Sequence, residues 1–364
     1  MHVTAPATPR ELFDLWAAVH PKDLPAPALV RHPLVEARLR HFAQTAPDLF
    51  HVEEVGRSVE GRSLQLVRLG TGPRHILLWS QMHGDEPTAT TALFDLLEYV
   101  RLHRDEPRVR RLLSALTLHA LPMLNPDGAE RFQRRNAQGI DINRDALALQ
   151  TPEGRTLKGV RDRLQPSLGF NLHNQSWRTA VGGTGRPASI SLLAPPFDAA
   201  RNDNPGRVLA KKVCAVIRDA LEPLASGQLG RYDDSFEMRA FGDNLVRWGT
   251  PTVLIETGPW PSPQPDEPLL RLNFVALVTA LEARRRRRHH RVLQRLLVSR
   301  VDDFTGDDGR ALCQCAGSQQ HQHQDTPSTR ETNERRQRWC PLLWSWGLPL
   351  PQFREGRKIN TRSE

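Results

Sequence analysis

The chain has little cysteine. Of four cysteines in 364 residues, only Cys214 lies before residue 284, and Cys313, Cys315 and Cys340 follow it. One cysteine cannot close an internal disulfide, so residues 1–283 must be stabilised by a packed core, and nothing asks for an oxidising compartment. Long apolar runs are also missing. No stretch approaches the 18 or so consecutive apolar residues of a membrane-crossing helix. The opening MHVTAPATPRELFDLW lacks the basic-then-apolar order of a secretory leader, so a soluble cytoplasmic protein with no membrane partner is expected. Tyrosine is scarce, with Tyr99 and Tyr232 alone.

The net charge of +9 invites a nucleic-acid reading until the charge is located. Residues 284–364 hold 17 Lys and Arg against 9 Asp and Glu, whereas residues 1–283 hold 33 against 32. The body is nearly neutral, which removes the polyanion argument from everything but the tail. Composition also shifts abruptly there, with RRRRRHH and QQHQHQD sharing no period. Three segments are expected: 1–50, a Pro-rich extension with short helices at 10–19 and 34–45 packing on the body; 51–283, the body; and 284–364, a basic tail of low order. Cys313-x-Cys315 and His321-x-His323 could be read as metal-binding, but the spacing fits no zinc module.

Within the body, strands alternate with helical patterns. Strands are expected at 51–55, 64–69, 76–79, 116–121, 168–172, 190–194 and 251–255, and helices at 88–102, 152–164, 205–224 and 267–283. The first two strands read as an antiparallel entry around the turn at 56–61, while residues 129–150 and 227–249 read as loops. This order predicts an α/β fold with a mixed, mostly parallel central sheet flanked by helices.

Polar residues stand where three apolar runs end. Ile76-Leu77-Leu78-Trp79 leads to His83 and Glu86, Leu168 to Leu172 leads to His173, and Val253-Leu254-Ile255 leads to Glu256. In an open α/β sheet ligands bind beyond the carboxyl ends of the strands. Two imidazoles and a carboxylate are a donor set that zinc takes in catalytic sites, and a second carboxylate is the base that a metal-activated water needs. Desolvation at the end of an apolar run should raise the proton affinity of Glu256.

The stretch 125–145, NPDGAERFQRRNAQGIDINRD, taken with HGDE before it and LHN and IET after it, resembles the zinc carboxypeptidases over residues 51–283, with the motifs in the same order. Two histidines and a glutamate are a zinc set that general protein chemistry records for carboxypeptidase A itself. The resemblance implies one zinc per chain on His83, Glu86 and His173, with Glu256 as the catalytic base. It implies Arg134, or Arg135 one residue on, as the cation that stabilises the oxyanion. Asn143 and Arg144 would hold the terminal carboxylate of a peptide substrate, and Tyr232 would close over it. The expected reaction is hydrolysis of the last peptide bond. Two other readings stand beside it. Amidohydrolases of the aspartoacylase and succinylglutamate desuccinylase type are similar in the metal motif and cleave N-acyl amino acids, and a binding module could keep the fold without catalysis.

Overall fold

A computed structural model describes residues 8–285; all of the expected tail beyond residue 285, with the Cys and His pairs at 313–323, lies outside the described residues. The first helix, α1 (Pro9–Val19), starts at a capping box in which Thr8 and Glu11 bond each other's backbone, satisfying donors that a helix start leaves open. It is followed by α2 (His32–Thr45), β1 (His51–Arg57), β2 (Ser63–Leu69), β3 (Arg74–Ser80), α3 (Thr88–Leu102), α4 (Pro107–Ala115) and β4 (Leu116–Leu121). The second half holds α5 (Pro126–Arg131), α6 (Pro152–Leu164), β5 (Leu168–Asn174), β6 (Ile190–Leu193), α7 (Pro205–Leu221), β7 (Leu229–Arg231), α8 (Phe241–Arg247), β8 (Thr252–Thr257) and α9 (Asp266–Arg285).

The strands form one sheet in the order β1-β2-β4-β3-β5-β8-β6-β7. The central β4, β3, β5 and β8 are parallel. On one edge β2 and β1 are antiparallel additions, and on the other β6 opposes β8 with β7 parallel to β6. The mixed, mostly parallel sheet flanked by helices is the expected architecture. Its centre has two buried faces, which is why β3 reads as an unbroken apolar run. Ile76 and Leu78 join one apolar cluster, with Phe94, Phe170 and Phe274. Leu77 and Trp79 point the other way and join a second, with Leu157, Phe241 and Leu245.

The N-terminal helices are part of that core. Trp16, Leu39 and Phe42 belong to the first cluster, and Trp16 Nε1 donates to the buried Asp95 of α3 at 2.7 Å. At the far end α9 runs through Arg285, and Arg74 at the start of β3 donates to the carbonyls of Arg284 and Arg285. The first two residues assigned by composition to the tail are therefore held by the sheet.

Four short elements depart from the expected loops. The segment 129–150 contains the second half of α5 and a single turn of 3-10 helix over Ile142–Arg144, and 227–249 contains β7 and α8. The helix α4 buries only Val109 and Leu112, too few apolar positions to show a period. No helix among the described residues is long and apolar enough to cross a membrane.

Candidate metal and catalytic centre

The chain leaves β3 through Gln81, whose backbone is left-handed at φ 49°, and turns so that His83 and Glu86 face the end of the neighbouring strand. A short turn, Glu86 N–H to His83 carbonyl at 3.2 Å, closes the spacing between them. β5 and β8 carry the remaining groups in register, with His173 opposite Glu256. All four are buried, with 7% exposure at most.

His83, Glu86 and His173 meet, each offering a ligand atom within 4.8 Å of the others. One carboxylate bridges the two rings, with Oε1 2.7 Å from His83 Nδ1 and Oε2 2.7 Å from His173 Nδ1. The two Nδ1 atoms are 3.2 Å apart. Burial works to raise the Glu86 pKa, but the adjacent histidines outweigh it and hold the carboxyl well below its usual range. Burial likewise works to lower His83, and Glu86 with Asp141 overcomes it, leaving the ring raised to about 9. Three converging donors with two imidazoles forced against one carboxylate form a site that a divalent cation would complete. Two buried polar atoms at the same place lack hydrogen-bond partners, Nε2 of His173 and Oε2 of Glu256. The donor set fits zinc: two nitrogens and one carboxylate oxygen, with a further carboxylate alongside. Burial, then the charge of Glu86, pushes the Glu256 pKa well above the usual carboxylate range, the property a proton-accepting base needs near neutral pH.

Asp141 is a residue the sequence did not single out. Its Oδ1 lies 3.1 Å from His83 Nε2, so in the neutral ring that a metal requires, a proton kept on Nε2 leaves Nδ1 as the ligand nitrogen. Its Oδ2 accepts from Arg134 Nε at 3.0 Å. Arg134 reaches the cluster, with Nη1 3.1 Å from His83 Nδ1 and 3.3 Å from Glu86 Oε1. Arg135 turns away, donating to the Gly139 carbonyl. The loop between Arg134 and Asp141 is tied by the buried Asn136, whose Oδ1 accepts from the N–H groups of Gln138 and Ile140 and whose Nδ2 donates to Glu153.

Asn143 and Arg144 sit in the 3-10 turn capped by Asp141. Asn143 Oδ1 accepts from Phe241 N–H at 3.0 Å, and Arg144 Nε is 3.4 Å from Glu237 Oε2. Ala146 N–H donates to the Arg239 carbonyl. What the fold sets against the pair is thus the start of α8 and the segment before it. The first turn of α8 carries Asp243, whose pKa burial raises to about 7 and whose Oδ1 accepts from Glu237 N–H. Tyr232 follows β7 directly, its N–H donating to the Leu192 carbonyl at 3.0 Å. Arg231 is level with Leu192 in β6, and Leu192 with Ile255 in β8. The chain passes Tyr232 moving away from the strand end that carries Glu256.

A sequence model of the family described as zinc carboxypeptidase matches residues 35–168, a span that includes His83, Glu86, Arg134, Asn143 and Arg144 and stops short of His173 and Glu256. The chain is 30% identical over 128 residues to carboxypeptidase M of Mus musculus, covering 30% of this chain and 29% of that one. It is 33% identical over 205 residues to carboxypeptidase E of Caenorhabditis elegans, covering 47% and 43%. It therefore spans less than half the length of these curated relatives. In structure it is similar to carboxypeptidase A from Helicoverpa armigera, with a TM-score of 0.57 at 16% identity over 76% of this chain and 80% of that one. The chain resembles the zinc carboxypeptidases in part of its sequence and in its fold.

Proposed function

We propose that this chain is a zinc-dependent metallopeptidase that hydrolyses the C-terminal peptide bond of peptides. The observation that carries the reading is the convergence of His83, Glu86 and His173 with Glu256 in register beside His173. His83, Glu86 and His173 would hold one zinc ion, which when bound supplies Lewis-acid polarisation and acidifies water.

The chain's own residues supply the rest. Glu256, its proton affinity raised by burial, takes a proton from the attacking water and delivers it to the departing amine nitrogen. Arg134, at the edge of the cluster, offers its guanidinium to the oxyanion that forms on the carbonyl carbon. Asp141 holds the tautomer of His83. Asn143 and Arg144, adjoining that loop, bind the free carboxylate of the substrate and fix which bond is presented. The buried surroundings of Glu86 and Glu256 keep bulk water from screening these charges.

The test is release of free amino acid from a peptide panel by the zinc-loaded chain, run beside the same peptides amidated at the C-terminus. Release from free ends alone is expected. Release from neither set would move the reading to hydrolysis of N-acyl amino acids, which then become the substrates to try.

A further inference from the structure

Five non-glycine residues among those described have left-handed backbone: Gln81, Phe132, Leu149, Gln165 and Arg201. Gln81 alone of these is fully buried, at 0% exposure. A left-handed turn is a conformation glycine adopts freely and other L residues adopt at a cost, so a long side chain here has to be accounted for by what that side chain does.

Both ends of its amide are used. Nε2 donates to the Gly84 carbonyl at 2.9 Å, and Oε1 accepts from the Thr90 hydroxyl at 2.9 Å. The main-chain carbonyl of Gln81 accepts from Asn125 N–H at 2.9 Å, and Asn125 Nδ2 in turn donates to the carbonyl of Arg134. His83 lies between residue 81 and the first of these ties, and Glu86 lies between the first tie and Thr90 in the opening turn of α3. One buried amide thus fixes both flanks of the loop that carries them.

We propose that Gln81 is a positioning residue for the metal centre. Its amide closes the 81–86 loop on itself and onto α3, holding His83 and Glu86 at the separation at which both meet His173. The inference rests on the metal reading given above. Glycine at this position would relieve the backbone but provide neither tie, and glutamate would present no donor to Gly84 at neutral pH. If residue 81 serves only to turn the chain, glycine should be at least as good as glutamine. If it positions the ligands, glycine should be worse.

The experiment is a zinc titration of the metal-free full chain against a chromophoric chelator, for the wild type, Gln81→Gly and Thr90→Val. Losing an outer partner of a metal ligand typically costs about 10- to 100-fold in metal affinity. The zinc dissociation constant should rise by about that factor in Gln81→Gly and by a smaller factor in Thr90→Val, with near-ultraviolet circular dichroism of the metal-free proteins unchanged. A merely structural role would move the melting temperature of the metal-free chain and leave the zinc constant where it was. Wild-type zinc affinity in Gln81→Gly overturns the proposal. Should that variant fail to fold, Thr90→Val keeps the backbone of residue 81, and unchanged affinity there overturns it equally. A wild-type chain that takes up no zinc removes the metal reading and this inference together, which is distinct from tight binding by all three.

Discussion

Asp141 holds His83 from behind: its Oδ1 is 3.1 Å from Nε2 of the ring, on the side away from Glu86 and His173. Removing it should free the imidazole to rotate and to change tautomer. Asp141→Ala is expected to lose zinc about 10- to 100-fold more readily, measured as metal retained after gel filtration through graded chelator. Undiminished retention would detach Asp141 from the centre. Arg134, which loses its partner at Oδ2, should become less well placed in the same variant.

Glu256→Gln keeps the size of the side chain and removes its capacity as a base. Zinc content should stay near that of the wild type while turnover falls by several powers of ten. Metal analysis and single-turnover hydrolysis on the same preparation check both halves. Appreciable residual activity would mean that another group takes the proton.

Arg144 is paired with Glu237 across 3.4 Å, so the guanidinium is already set to meet a carboxylate. Arg144→Ala should raise KM for peptides with a free end by about 10-fold or more, in line with roughly 1.5–3 kcal/mol for a hydrogen bond to a charged group. kcat for the same peptides should change little. An unchanged KM would detach Arg144 from the substrate carboxylate.

The pair His75 and His119 predicts acid sensitivity. Nδ1 of His75 is 2.9 Å from Nε2 of His119, and burial, followed by the charges of His75 and Arg68, lowers His119 from 6.5 to about 4. A histidine held neutral by the fold contributes stability that is complete above pH 6.5 and is lost as the pH falls toward 4. Urea midpoints at pH 7, 5.5 and 4.5 should therefore decline less steeply in His119→Gln than in the wild type. Parallel declines would rule out His119 as a source of the effect.

Truncation has a defined limit. Arg74 donates to the carbonyls of Arg284 and Arg285, so a chain ending after residue 285 keeps both acceptors. One ending after Ala283 should be less stable by about 1–3 kcal/mol, because a buried guanidinium loses these acceptors. Thermal unfolding of the two chains decides it.

The sequence made the cluster of His83, Glu86 and His173 readable because β3, β5 and β8 are buried on both faces. Uninterrupted apolar runs made the polar residues at their ends conspicuous. The boundaries of α6 were equally plain, since Thr151 caps it and Pro152 opens it. Asp141 was hidden because it stands 58 residues from the ring it supports, and no local pattern marks a partner brought in by a loop. The helix α8 and the strand β7 were missed because seven and three residues are too few to display a period.

The register of β5 against β8 sets His173 opposite Glu256 by hydrogen bonds of the sheet itself. A slip of one residue by either strand would turn its own side chain to the far face and break the pair, so the pair cannot be tuned by small adjustments. The neighbours of Asn143 and Arg144 come instead from the connection between β7 and α8, which carries Glu237 and Arg239. On the proposed reading, grafting a loop over residues 232–240 should change which substrates are bound while leaving the pair His173 and Glu256 in place.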